Sequence, residues 1–194
     1  MARSLPVLLT LVVAAACGPP ARPRHPELME RTLFLCCNAV FNQNRAATDA
    51  NYVYGDGGVL RAGTPVRIVD TDDEGVVLFV PEGGSARYRL AFQYGRANVS
   101  AAEYFASIFL PDDPRTVLAD APAATTAAAR DGRLVRGMTP AQAIVARGYP
   151  PRHMTPSLEG EEWIYYESPG VVDRVRFAGG RIESIERGPA PVRR

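Results

Sequence analysis

Apolar and polar positions alternate through Ala86, Tyr88, Leu90 and Phe92, with Arg87, Arg89, Ala91 and Gln93 between them. That period of two predicts a half-buried strand with arginine on its wet side. The β pattern runs from Arg31 to Tyr94. Pro65-Val66-Arg67-Ile68-Val69-Asp70 predicts an apolar-rich strand opened by a Gly63-Thr64-Pro65 turn, and Val76 to Val80 returns the chain after an acidic turn. Pro81-Glu82-Gly83-Gly84 makes a second turn. Short strands at this spacing predict a small antiparallel barrel. Leu33 to Val40 reads as a further strand, which points the adjacent Cys36 and Cys37 to opposite faces.

Beyond Tyr94 the period becomes helical. Ser100-Ala101-Ala102-Glu103 has the form of a capping box, and the helix it starts carries Tyr104, Phe105, Ile108 and Phe109 on one apolar stripe, with Pro111 ending it. Asp113-Pro114 predicts another helical start. Residues 121–132 hold few bulky apolar groups and read as a linker, helical in part. Thr139-Pro140-Ala141-Gln142 is a further capping box, and Gly148 stands where a helix ends in the left-handed conformation. The helix between has about two turns, turns Ile144 and Val145 inward, and needs a sheet to support it. Trp163-Ile164-Tyr165-Tyr166 begins the strands, Val171 to Phe177 continues them, Ala178-Gly179-Gly180-Arg181 turns, and Ile182 to Glu186 closes an antiparallel meander.

The N-terminus carries a different pattern. Arg3 precedes the apolar run from Leu5 to Ala16, and Cys17 follows three small residues. A positive start, an apolar stretch and a small-residue cleavage site are the parts of an export signal. The run is shorter than the ~20 apolar residues needed to span a bilayer. Ala14-Ala15-Ala16-Cys17 resembles the lipobox of bacterial lipoproteins. The resemblance implies lipidation of Cys17, palmitate among the acyl chains, and a mature protein tethered to a membrane through that residue. An ordinary secretory signal with a coincidental cysteine is the alternative. Gly18 after the cysteine points to the outer membrane and its periplasmic face. Residues 17–30, rich in proline, read as an extended tether in which His25 is solvated.

Stretches of the folded part resemble two known families. Leu60 to Ile68 resembles the entry into bacterial SH3-like domains. Gly137-Met138-Thr139, Gly148-Tyr149-Pro150, Trp163-Ile164-Tyr165 and Val175 to Ile182 follow in an order similar to the SmpA/OmlA (BamE-like) outer-membrane lipoproteins. The resemblance implies an α+β fold of short helices on a three-stranded antiparallel sheet, and a non-catalytic role in envelope integrity or outer-membrane protein assembly. The expected organisation is a signal peptide (1–16), the tether (17–30), an SH3-like β module plus helices (31–120), the linker (121–132), a BamE-like domain (133–188) and a tail (189–194). The first helix of that family, ahead of the Gly137-Met138-Thr139 motif, is ill-defined in this sequence.

Charge narrows the partners. The chain holds 22 basic residues, all arginine, and 21 acidic ones. Residues 18–132 are net acidic and residues 133–194 net basic, each by only three charges, which excludes a nucleic-acid-binding reading. Sets for nucleophilic, zinc or phosphate chemistry are missing: no Gly-x-Ser-x-Gly, no His-Glu-x-x-His and no phosphate loop. No catalytic, cofactor or metal residue is expected. The acidic turn at Asp70, Asp72, Asp73 and Glu74 lacks the rhythm of a calcium loop and reads as a solvated hairpin. Cys36 and Cys37 read as one buried and one partly exposed thiol, with a vicinal or intermolecular disulfide as the alternative. Tyr149, His153, Trp163 and Tyr165 are the candidate protein contacts, since interfaces favour Tyr and Trp, and core packing is the competing reading. The sequence thus points to an envelope protein partner. Peptidoglycan binding by the SH3-like module, or inhibition of a periplasmic hydrolase through an open aromatic sheet face as in β-lactamase-inhibitor-like folds, are the alternatives.

Overall fold

The structure is a computed structural model that describes residues 25, 28–29, 31–51, 56–72 and 75–191. The expected signal peptide and Cys17 lie outside them. The fold is α+β, with three α-helices, a curled mixed sheet and a separate three-stranded antiparallel sheet.

The N-terminal unit contains β1 (Thr32–Leu35), β2 (Ala39–Val40), β3 (Ala46–Thr48), β4 (Val59–Leu60), β5 (Pro65–Thr71), β6 (Val76–Pro81), β7 (Tyr88–Ala91), α1 (Ala101–Ile108) and β8 (Phe109–Leu110). Its large sheet runs in the order β3-β7-β6-β5-β1-β8. Strands β5, β6 and β7 form the expected antiparallel run, but β3 joins β7 in parallel. The sheet is therefore mixed rather than an antiparallel barrel. Leu33, Val66, Val77, Phe79 and Phe105 fill the core beneath it, each with no exposed surface.

Three expectations change here. The Leu33–Val40 stretch is not one strand: β1 ends at Leu35, the chain bends at Cys36-Cys37, and β2 starts at Ala39. The two cysteines are disulfide-bonded to each other and both are buried, rather than one buried and one partly exposed thiol. Helix α1 has its capping box but stops at Ile108, and Phe109 enters β8 beside β1. The folded part also begins earlier than residue 31. His25 packs edge-on to Phe105 at 5.5 Å and its amide donates to Thr71 Oγ1, while Leu28 is buried in the core. His25 is docked, not solvated.

A 3-10 turn over Pro114–Leu118, capped by Asp113, leads to α2 (Ala123–Arg130). The expected linker is thus largely a helix, and Ala128 and Ala129 belong to the second core. Alanine supplies high helix propensity and allows close packing, so a segment without bulky apolar groups still buries a face. Helix α3 (Pro140–Arg147) has the reciprocal Thr139–Gln142 box. Strands β9 (Glu162–Ser168), β10 (Val171–Ala178) and β11 (Arg181–Pro189) form the sheet β11-β10-β9. The C-terminal unit is thus two helices and a three-stranded meander. Gly148, which ends α3, has φ +83° and ψ −179°, outside the left-handed helical region and open to glycine.

Candidate functional site

The two units meet where α2 and α3 end. The last turn of a helix leaves carbonyls without intrahelical donors. Here the N-terminal unit supplies the donors. The Asn38 amide donates to Val145 O at 3.2 Å, and its side-chain Nδ2 donates to Ala129 O and Ala146 O, both at 2.8 Å. Its Oδ1 accepts from the Ala62 amide. Asn51 Nδ2 donates to Arg147 O at 2.7 Å and Tyr149 O at 2.9 Å. Asn51 holds φ +51°, a left-handed backbone that asparagine tolerates better than most residues. One asparagine follows the Cys36–Cys37 bend and the other follows β3, so the N-terminal unit fixes both.

The chain leaving α3, residues 148–155, crosses this junction and meets the loop after β7. Asp49 positions that loop: its buried carboxylate accepts from the amides of Gln93, Tyr94 and Gly95. A Cβ on Gly95 would stand 2.9 Å from Arg152 Cβ and 2.9 Å from the Phe92 ring, so only glycine allows this approach. Asn98 Nδ2 donates to Arg152 O at 2.9 Å from the other side. Three rings then line up across the boundary. Tyr94 lies 5.4 Å from His153, His153 lies 5.8 Å from Tyr166, and His153 Nε2 is 3.2 Å from Tyr166 Oη. Tyr94 is 46% exposed, one of the largest apolar exposures among the described residues.

The four candidate contacts separate. His153 is part-exposed in this ladder. Tyr149 is half-buried at the junction, and its hydroxyl pKa is pushed up by burial, offset in part by a hydrogen bond with Ser107. Trp163 and Tyr165 are core residues, 1% and 0% exposed, and so are not surface contacts. They share the sheet face under the helices. Trp163 packs 4.7 Å from Phe177 and its Nε1 donates to Leu158 O, while the Tyr165 hydroxyl donates to Gly148 O. The opposite face carries Glu162, Ile164, Tyr166, Arg174 and Arg176, with Arg174 and Arg176 each within 4 Å of Glu162. That open face is charged rather than an aromatic clamp. Tyr94 gave no signal in the sequence, because its exposure comes from a loop that Asp49 shapes from 44 to 46 residues away.

A buried ionic network stiffens the floor. Arg147, at the end of α3, donates through Nη1 to Asp173 Oδ2 at 2.7 Å and through Nη2 to Tyr166 O and Glu167 Oε2. Its guanidinium also lies 5.2 Å from the centre of the Tyr165 ring. Arg187 Nε donates to Asp173 Oδ1 at 2.9 Å and Nη2 pairs with Glu167. Burial alone would raise the Asp173 pKa, but hydrogen bonds from Arg187 and Arg147 outweigh it and hold the carboxyl below its ordinary range.

No family model, no curated protein and no solved structure matches this chain. Function therefore has to be argued from the residues themselves. Among the described residues, no group of three or more His, Cys, Asp or Glu is placed to hold a metal ion, and no helix is long and apolar enough to cross a membrane. What the junction offers chemically is recognition: a row of tilted rings for a flat or apolar surface, and Arg152 and Arg174 for a carboxylate.

Proposed function

We propose that this protein is a lipid-anchored binding or scaffold protein of the bacterial envelope, held through Cys17 at the periplasmic face of the outer membrane. Its task is in outer-membrane protein assembly or envelope integrity. The finer fold reading is an SH3-like module followed by a BamE-like domain. The observation that carries the reading is the Tyr94–His153–Tyr166 ladder, which puts aromatic rings at the surface on the seam between two interlocked units. Aromatic residues at the surface are what binding hot spots are made of, and a rigid floor lowers the cost of association. The export pattern ending at Cys17 supplies the location.

The test combines a photo-crosslinking side chain at position 94 with palmitate labelling in a Gram-negative host. The reading expects a discrete crosslinked envelope protein, lost on His153→Ala with Tyr166→Ala, and label that disappears in Cys17→Ser. Recovery of the chain in the cytosol with its first 16 residues attached would refute the location. An absence of any specific crosslink from position 94 would refute the scaffold role.

A further inference from the structure

Beside the curled sheet, at the junction, the described residues line a partly open cavity of about 240 Å³. The rings of Phe41, Phe79, Tyr104 and Tyr149 contribute to its wall, with Leu35 and Leu90 between them and Cys37 of the disulfide beside them. No charged side chain lines it among the described residues. An apolar cavity of roughly 150 Å³ is enough to hold benzene. This one has space for a second ring.

We propose that this cavity is a binding site for a small, neutral, planar aromatic molecule of two fused rings with one polar group. Three features select that class. The uncharged wall makes an ionised ligand costly to desolvate. The aromatic wall favours a flat ring, because rings in the core already meet edge-on, Phe41 with Phe79 at 6.1 Å and with Tyr88 at 4.8 Å, and a flat guest adds further edge and face contacts. The polarisable sulfur of Cys37 also suits an aromatic neighbour. The third feature is Tyr104. It is 8% exposed, stacks at 4.7 Å on Phe92 and lines the cavity. Burial, with the Asp49 charge adding to it, raises its pKa, so the hydroxyl stays protonated as a donor. A guest with one acceptor or π-face at that end takes a hydrogen bond from this donor. The inference does not depend on the export reading, since Cys17 does not enter it, although Tyr94 and Tyr149 of the junction also line the cavity.

Indole is the probe, titrated by calorimetry into the purified full chain, with n-octanol and indole-3-acetate as comparators. Saturable one-site binding of indole is expected, with indole-3-acetate at least tenfold weaker at neutral pH. Tyr104→Phe keeps the volume and removes the donor, and should weaken indole about fivefold. Ala47→Leu places added carbons into the space and should abolish binding, with circular dichroism confirming the fold. Octanol binding as tightly as indole would overturn the aromatic assignment. No saturable binding of indole, or binding unchanged in Ala47→Leu, would overturn the site.

Discussion

Asn38 and Asp173 carry more of this structure than their residue types suggest. Asn38 spends both side-chain ends across the seam, closing the C-terminal carbonyls of two helices and the Ala62 amide. Asn38→Ala removes three buried side-chain bonds, and a loss of about 2–4 kcal/mol in urea unfolding is expected, since Ala146 O and the Ala62 amide lose these partners. A change below ~0.5 kcal/mol would show that the carbonyls find other partners. Asp173 makes a prediction in pH. Its folded-state pKa is depressed, so its stabilisation is full above the ordinary carboxylate value of about 4 and is lost as pH falls through the folded value. Asp173→Asn should destabilise at pH 7 and flatten the acid limb of stability below about pH 4. An acid limb identical to that of the parent would place the acid sensitivity elsewhere. Neither residue is legible in the sequence, because partners 91 and 108 residues away for Asn38, and 26 and 14 residues away for Asp173, leave no local signal.

At the scale of elements, local signals were strong wherever hydrogen bonds close within a few residues. Both capping boxes have the expected reciprocal geometry, and the Pro65, Val76, Trp163 and Val171 strands fall close to their expected bounds. Helix α2 was legible only as a linker helical in part, because its buried face is alanine and threonine, which carries little hydrophobic contrast. The Trp163 strand was recognisable as a strand, but which face was covered was not, since alternation places both Trp163 with Tyr165 and Ile164 with Tyr166 in phase. That ambiguity yields a paired test. Trp163→Ala should cost about 3–5 kcal/mol of stability as a core truncation. Tyr94→Ala should stay within about 0.5 kcal/mol while removing the crosslinkable surface. Equal losses for the two would contradict the assignment of one to the core and the other to the surface.

For the molecule as a whole, the seam joins what the sequence presents as separate modules. The N-terminal unit caps α2 and α3 through Asn38 and Asn51, and Arg61 adds a bond from its Nη1 to Arg130 O. Helices of eight residues are marginal alone, so the C-terminal unit depends on those caps. A single cooperative calorimetric transition is expected, and Asn38→Ala combined with Asn51→Ala should split it into two. Two transitions in the unaltered chain would mean that each unit is stable without the other.

Periodicity and capping chemistry are properties of neighbouring residues, and they set strands β5 to β7 and β9 to β11, the starts of α1 and α3 and the α+β class. The proposed export signal ending at Cys17 is likewise read from consecutive residues. Distant contacts made the remaining choices. They put β3 parallel to β7, joined Cys36 to Cys37 in the interior, turned Trp163 and Tyr165 inward and left Tyr94 and His153 at the surface. Burial depends on which faces meet across the chain, and linear order says which residues share a face without saying what covers it.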